Sequence, residues 1–162
     1  MTGLVSANVI ISSAHADITC NGVQNCPGGD FITGGGFIGS GGTSANFGVA
    51  GGIKNGGFWS HLLYVNHGTG IRVKGTGVTS YTVTDTNCRR ITGSCEVNGT
   101  PAETYQVDVC DNGEPGTSDT FVLSVNGAAQ LSGQLTGGNI QLHRPCKLLR
   151  RSSTRQMRSR AG

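Results

Sequence analysis

Glycine stands at 28 of 162 positions, and this restricts the fold more than any other feature. The share is more than double the usual ~7%. Each glycine inside a helix costs roughly 1 kcal/mol against alanine, so helix bundles and coiled coils are excluded. Collagen is excluded as well, because Pro is only 4 and glycine follows no three-residue period. Short strands joined by glycine turns are the arrangement that uses such a composition. Hydrophobic residues are only 35%, but a net charge of +3 is too small to hold the chain open as a disordered one. The length suits one domain.

The apolar pattern agrees. Phe31-Ile32 and Phe37-Ile38 flank Gly34-Gly35-Gly36, and Phe47 and Val49 alternate with small residues. Phe58 to Val65 is apolar on both faces, which predicts a covered central strand. Ile71 to Val83 alternates, with Gly75 and Gly77 marking a bend or bulge. Tyr105, Val107 and Val109 alternate with polar neighbours, as do Phe121, Leu123 and Val125. Asn98-Gly99 and Asn126-Gly127 are turns, and Leu131, Leu135, Ile140 and Leu142 complete the series. The spacing predicts an all-β fold, an antiparallel meander of about eight or nine strands closing into a barrel or sandwich. Around it, residues 1–33 form an N-terminal segment with the Cys20/Cys26 loop, and 147–162 a basic tail without alternation that reads as disordered. The β domain is expected over 34–146.

Six cysteines in a short chain read first as up to three disulfides, and hence as a secreted or surface location. No Cys-x-x-Cys pair or zinc spacing occurs. On a straight strand Cys88 faces outward with Arg90 and Glu96, while Cys95 faces inward with Ile91 and Val97. Cys110 is outward on the next strand, and pairing about Asn98-Gly99 places it near Cys88. The expected bridges are Cys20–Cys26 and Cys88–Cys110, with Cys95 and Cys146 left as a third pair. A bulge within the hairpin would spoil that register. Residues 1–13 are mildly apolar and Ala14-His15-Ala16 resembles a signal cleavage site, yet no basic residue precedes Lys54. No segment has the ~18 apolar residues of a membrane-spanning helix.

Charge is divided. Residues 1–143 hold nine acids against five bases, and residues 144–162 hold Arg144, Lys147, Arg150, Arg151, Arg155, Arg158 and Arg160 with no acid. Such a tail suits non-specific contact with an anionic surface or nucleic acid, although it has no aromatic to stack on bases.

The motifs GGGFIGSGG (34–42), ANFGV (45–49), HLLYVNHGTGIRVKGTGVTSYTV (61–83), CEVNGTP (95–101), YQVDVCDNGEPGTSDTF (105–121) and GGNIQLH (137–143) follow one another in order. Together they resemble the post-COAP domain, a Gly-rich β module of secreted bacterial proteins, over residues 34–143. The resemblance implies an extracellular accessory domain and no particular activity.

Chemistry-bearing candidates are few. The run from Asp111 to Asp119 is dense in oxygen ligands. Asp111, Glu114 and Asp119 are candidate Ca²⁺ ligands, with ordinary turn chemistry at Asn112-Gly113 and Pro115-Gly116 the simpler reading. No other cofactor is implied. His61 and His67 are too far apart on one strand to share a metal, and His15 and His143 have no local ligand partner. Glu96 and Asp108, as outward residues of neighbouring strands, meet the minimal requirement of a glycosidase pair. Gly34-Gly35-Gly36 makes no phosphate cradle, since no helix follows it. Asn98-Gly99-Thr100 is a glycosylation sequon that matters only in a glycosylating host. The expectation is therefore a non-catalytic extracellular β module, accessory, adhesive or assembly-forming through self-association. The rival is a ligand-binding or enzymatic barrel with Trp59, His61, Tyr64 or Tyr81 facing an interior cavity.

Overall fold

Three Asn-Gly pairs set three tight hairpins. Asn55, Asn98 and Asn126 all have φ near +50°, and Gly56, Gly99 and Gly127 follow with φ near +80°, the two-residue turn whose twist suits flanking strands. A computed structural model describes residues 29–144. The Cys20–Cys26 pairing, His15, Cys146 and the basic tail 147–162 lie outside these residues.

The strands are β1 (Phe31–Ile38), β2 (Ala45–Lys54), β3 (Gly57–Asn66), β4 (Arg72–Gly75), β5 (Ser80–Asp85), β6 (Cys88–Val97), β7 (Thr100–Cys110), β8 (Thr120–Val125), β9 (Ala128–Ala129), β10 (Gly133–Gln134) and β11 (Gly137–His143). All pairings are antiparallel, in the order β10-β8-β7-β6-β4-β3-β2-β1-β11, with β5 also on β6 and β9 on β8. The sheet curls so that its inner face makes one core. Phe47 of β2 stacks on Phe121 of β8 at 4.1 Å between ring centroids, and Tyr64 of β3 lies 6.2 Å from the same ring. Ile32, Val73, Ile91, Val107, Leu123 and Ile140 are fully buried around them. The fold is all-β, as the apolar alternation requires.

The triple glycine is a packing device. A Cβ on Gly34 would stand 2.7 Å from Ile140 Cγ1, and one on Gly36 would stand 2.3 Å from the Gly137 carbonyl. Only glycine lets β11 lie this close along β1. Sheet pairing begins at Phe31 opposite His143, so residues 31–33 belong to the sheet and not to the N-terminal segment expected to end at 33.

Among the described residues the strand count rises to eleven because one expected run divides and two short strands are added. Ile71 to Val83 is two strands: β4 pairs with both β3 and β6, and β5 with β6 alone. Thr76 and Gly77 bridge them by donating their N–H groups to the Ser94 carbonyl. The segment between β8 and β11 adds two-residue β9 and β10. The expectation that Phe58 to Val65 is covered on both faces fails: Leu63 is 49% and Phe58 48% exposed.

Candidate functional site

The acidic loop was the densest chemistry in the sequence, and its carboxylates are engaged with β11. Ile140 N–H donates to Asp119 Oδ2 at 2.7 Å, and Leu142 N–H donates to Asp111 Oδ2 at 2.8 Å. Asn139 Nδ2 donates to Glu114 Oε1 at 3.0 Å. Asp119, fully buried, also accepts the Asn112 N–H through Oδ1 at 2.8 Å. Ile140 and Leu142 are two residues apart, so their N–H groups leave the same edge of β11, away from β1. Two carboxylates thus take the place of a neighbouring strand, a clamp that joins β11 to the end of β7 through Asp111 and to the start of β8 through Asp119. Glycine again permits the fit: a Cβ on Gly116 would meet Asn139 Oδ1 at 2.3 Å and Asp119 Oδ2 at 2.7 Å. Among the described residues no group of three or more His, Cys, Asp or Glu side chains is placed to hold a metal.

A second acid-base contact was missed. Arg89 is 2% and Asp30 6% exposed, and they form a buried ion pair through Nε (2.9 Å) and Nη2. Arg89 Nη1 also donates to the carbonyls of Asp85 (3.0 Å) and Cys88 (2.7 Å), fastening the β5–β6 turn to the residue before β1. Tyr81 is buried beside the pair. Desolvation first, then the Asp30 carboxylate, push its hydroxyl pKa up. Strand parity held the signal: with Ile91 and Cys95 inward, Arg89 falls on the same inner face.

Cys88 and Cys110 are bonded, with Cα atoms 4.1 Å apart. The register is instructive. Val97 pairs with Thr100 and Cys95 with Ala102, but Gly93 pairs with Tyr105, so β7 carries one extra residue. Without it the ladder would set Cys88 opposite Val109. The bulge expected to spoil the bridge is what brings Cys110 across from Cys88. Cys95 is a free thiol in the core, its pKa raised by burial; Cys146, its expected partner, is outside the described residues.

The residues named for the rival interior cavity do not converge on one face. Tyr64 and Tyr81 are packed into the core, whereas Trp59 and His61 stand on the outer face of β3. Burial raises the hydroxyl pKa of Tyr64, and of Tyr105, which reaches Ser60 Oγ at 2.8 Å. Glu96 and Asp108 are also not a pair. Glu96 lies opposite Pro101, and Asp108 opposite Arg90, a separation of six residues along β6, or roughly 20 Å. Each has a basic partner, Lys74 at 3.2 Å and Arg90 at 2.7 Å. A glycosidase pair needs ~5–9.5 Å. Of the histidines, His67 Nε2 lies 2.8 Å from Asn46 Oδ1, and His143 Nε2 3.0 Å from Thr33 Oγ1.

What the structure does assemble is an uncharged outer face. Its positions are Phe31, Thr33, Gly35 and Phe37 on β1, and Asn46, Gly48, Ala50 and Gly52 on β2. Trp59, His61, Leu63 and Val65 follow on β3, and Gly137, Asn139, Gln141 and His143 on β11. No Asp, Glu, Lys or Arg occurs among them. His143 stacks on Phe31 at 4.4 Å, and Trp59 lies 6.2 Å from both Phe31 and His61. Gly52 sits between Phe31 and Trp59 in the same row. Aromatic rings therefore cross the sheet over a floor of small residues.

No helix among the described residues is long and apolar enough to cross a membrane. No family model, curated protein or solved structure matches the chain.

Proposed function

We propose that this chain is a non-catalytic extracellular β module that adheres to a second copy of itself through the outer face of β11-β1-β2-β3. The uncharged face is the observation that carries this reading. Sixteen neighbouring outward positions without an ionic side chain can meet their own copy without like-charge repulsion, as an isologous contact requires. Leu63 and Phe37, at 49% and 39% exposure, supply its apolar contact. The face measures roughly 15 Å by 20 Å, well below the ~800 Å² per partner of a stable dimer. Single contacts are therefore weak, and adhesion needs many copies. The Cys88–Cys110 bridge between β6 and β7 fits a module held in an oxidising environment. The resemblance to accessory domains of secreted proteins points the same way. Light scattering of the full chain over a concentration series tests it. Rising mass with concentration that is lost in Leu63→Lys and Phe37→Lys, both correctly folded, is expected. A monomer at every concentration overturns the self-adhesive reading.

A further inference from the structure

Elsewhere on the outer side of the sheet, over β6, β7 and β8, a groove of about 340 Å³ lies beside the β7 bulge. Its lining includes Thr79, Thr92, Thr104, Gln106, Ser124 and Asn126, and none of its lining residues is charged. We infer that this groove is a binding site for a neutral saccharide, the ligand through which the adhesive module proposed above would hold a polysaccharide surface.

The groove follows from the backbone. Between Gly93↔Tyr105 and Cys95↔Ala102 the ladder loses step, and bulges of this kind interrupt a sheet surface and re-aim its side chains. A Cβ on Gly93 would stand 2.0 Å from the Gly77 carbonyl oxygen and 2.8 Å from Tyr105 Cε1. Gly93 shares the inner face of β6 with Ile91 and Cys95, so this close contact lies on the core side with the buried Tyr105 ring, while Thr92 beside it presents its side chain to the groove. The wall on the far side is fixed before any ligand arrives. Asn126 N–H donates to the Thr104 carbonyl, and Thr104 N–H donates to Asn126 Oδ1, both at 2.9 Å. Such preorganisation lowers the ordering cost of binding.

The chemistry of the lining selects the ligand class. Thr92 Oγ1 lies 2.9 Å from Thr79 Oγ1 and 2.6 Å from Ser80 Oγ. A hydroxyl brings one donor and two lone pairs, so two contacts among three hydroxyls leave one donor and several acceptors free. Gln106 gives an amide donor to Asp108 Oδ2 at 3.2 Å and keeps its carbonyl oxygen for the groove. An anion needs donors backed by positive charge, and a hard cation needs carboxylates. Mixed donors and acceptors with no charge match a ligand whose own groups are hydroxyls. The volume falls at the low end of the range for small-ligand sites, enough for a short stretch of sugar rings.

The test uses the full chain on a panel of immobilised neutral oligosaccharides (cello-, xylo-, malto- and chito-series), followed by calorimetry on any that bind. Saturable binding to at least one series is expected, weakened roughly tenfold or more by Thr92→Val and by Gln106→Ala and blocked by Ser124→Trp. Thermal melts of these variants confirm that they fold. Trp59→Ala on the β11-β1-β2-β3 face should leave binding unchanged. Absence of binding across the panel, or binding that survives all three groove variants, overturns the groove while leaving the self-adhesion data untouched. Binding followed by release of shortened sugars supports the groove and overturns the non-catalytic reading instead.

Discussion

On the outer face of β11-β1-β2-β3 no disulfide or salt bridge links one strand to the next, whereas the face formed by β4, β6 and β7 is tied at three points. Lys74–Glu96 joins β4 to β6, and Arg90–Asp108 and Cys88–Cys110 join β6 to β7. The first face keeps register through backbone pairing and close glycine contacts, with only uncharged side-chain contacts such as Thr33–His143 and Phe31–His143 between strands, which are matched over seven to ten positions without a bulge. The second has ladder irregularities at Gly93/Cys95 and Val83/Asp85 and places its side-chain links around them. Strands that pair without interruption can leave their outer surface free of links and present it to a partner. Strands that bulge to shape a groove need side chains to restore the register.

The largest expected effect comes where the two regions are joined, at Asp30 and Arg89. Removing one member leaves the other charge buried without a partner, which costs ~3–5 kcal/mol. Arg89→Ala should lower Tm by roughly 10 °C or more. The double variant Asp30→Leu/Arg89→Met should be more stable than Arg89→Ala, because it removes the unpaired charge. Equal melts for Arg89→Ala and the unaltered chain would break the comparison, since the faces would then cohere without this tie.

Several of these features were legible in the sequence and others were not, for physical reasons. Period-two alternation at Tyr105, Val107 and Val109 and at Phe121, Leu123 and Val125 places buried faces directly. Asn98-Gly99 marks its own turn, and strand parity brought Cys88 and Cys110 to one face. The clamp was not legible, because Asp111 and Asp119 meet residues 31 and 21 positions away in the chain. A carboxylate that accepts backbone N–H groups has no local pattern to distinguish it from one in a solvated turn. The outer face of β3 was misread for a related reason. Apolar residues on both sides of a strand record that neither side is charged, and do not say what covers them. The groove depends on one inserted residue in β7, which alternation does not reveal.

The clamp offers the next effect. Asp119→Ala leaves the Ile140 N–H without its acceptor in a buried site, at ~1–3 kcal/mol, and also frees the part-buried Asn112 N–H, which water can reach. The loss should be local as well as global. Hydrogen exchange should show the Ile140 amide losing protection while amides paired within β2 and β3 keep theirs. Uniform loss over both regions would mean that β11 is not a separately held edge.

The disulfide should count for less than either. Closing a loop of 22 residues stabilises by about 3 kcal/mol in the chain-entropy model, and the measured value should be smaller because Asn98-Gly99 already brings the strands together. Cys88→Ser/Cys110→Ser should lower Tm by several degrees and leave self-association through Leu63 and Phe37 unchanged. If association also falls, the two faces are coupled and the contrast between them narrows. Arg90→Ala, which removes a partly exposed pair, should cost no more than ~1 kcal/mol.

The smallest expected effect is that of Ca²⁺. An ion held by Asp111, Glu114 and Asp119 would raise stability by RT ln(1 + [L]/Kd), about 1.4 kcal/mol at tenfold saturation, or a few degrees in Tm. Each of these carboxylates already accepts a hydrogen bond from β11 or its Asn139 side chain. Asp119 uses both oxygens, for Ile140 and for Asn112. A metal taking the same oxygens would displace the N–H groups that close the sheet and leave them unpaired, which offsets what coordination returns. Melts in EDTA and in millimolar Ca²⁺ should therefore coincide within error. A reproducible rise with Ca²⁺ that disappears in Glu114→Ala, a variant that leaves both backbone contacts intact, would show that the loop binds the ion with its remaining oxygens. The seam between the two regions would then be a metal-assisted one.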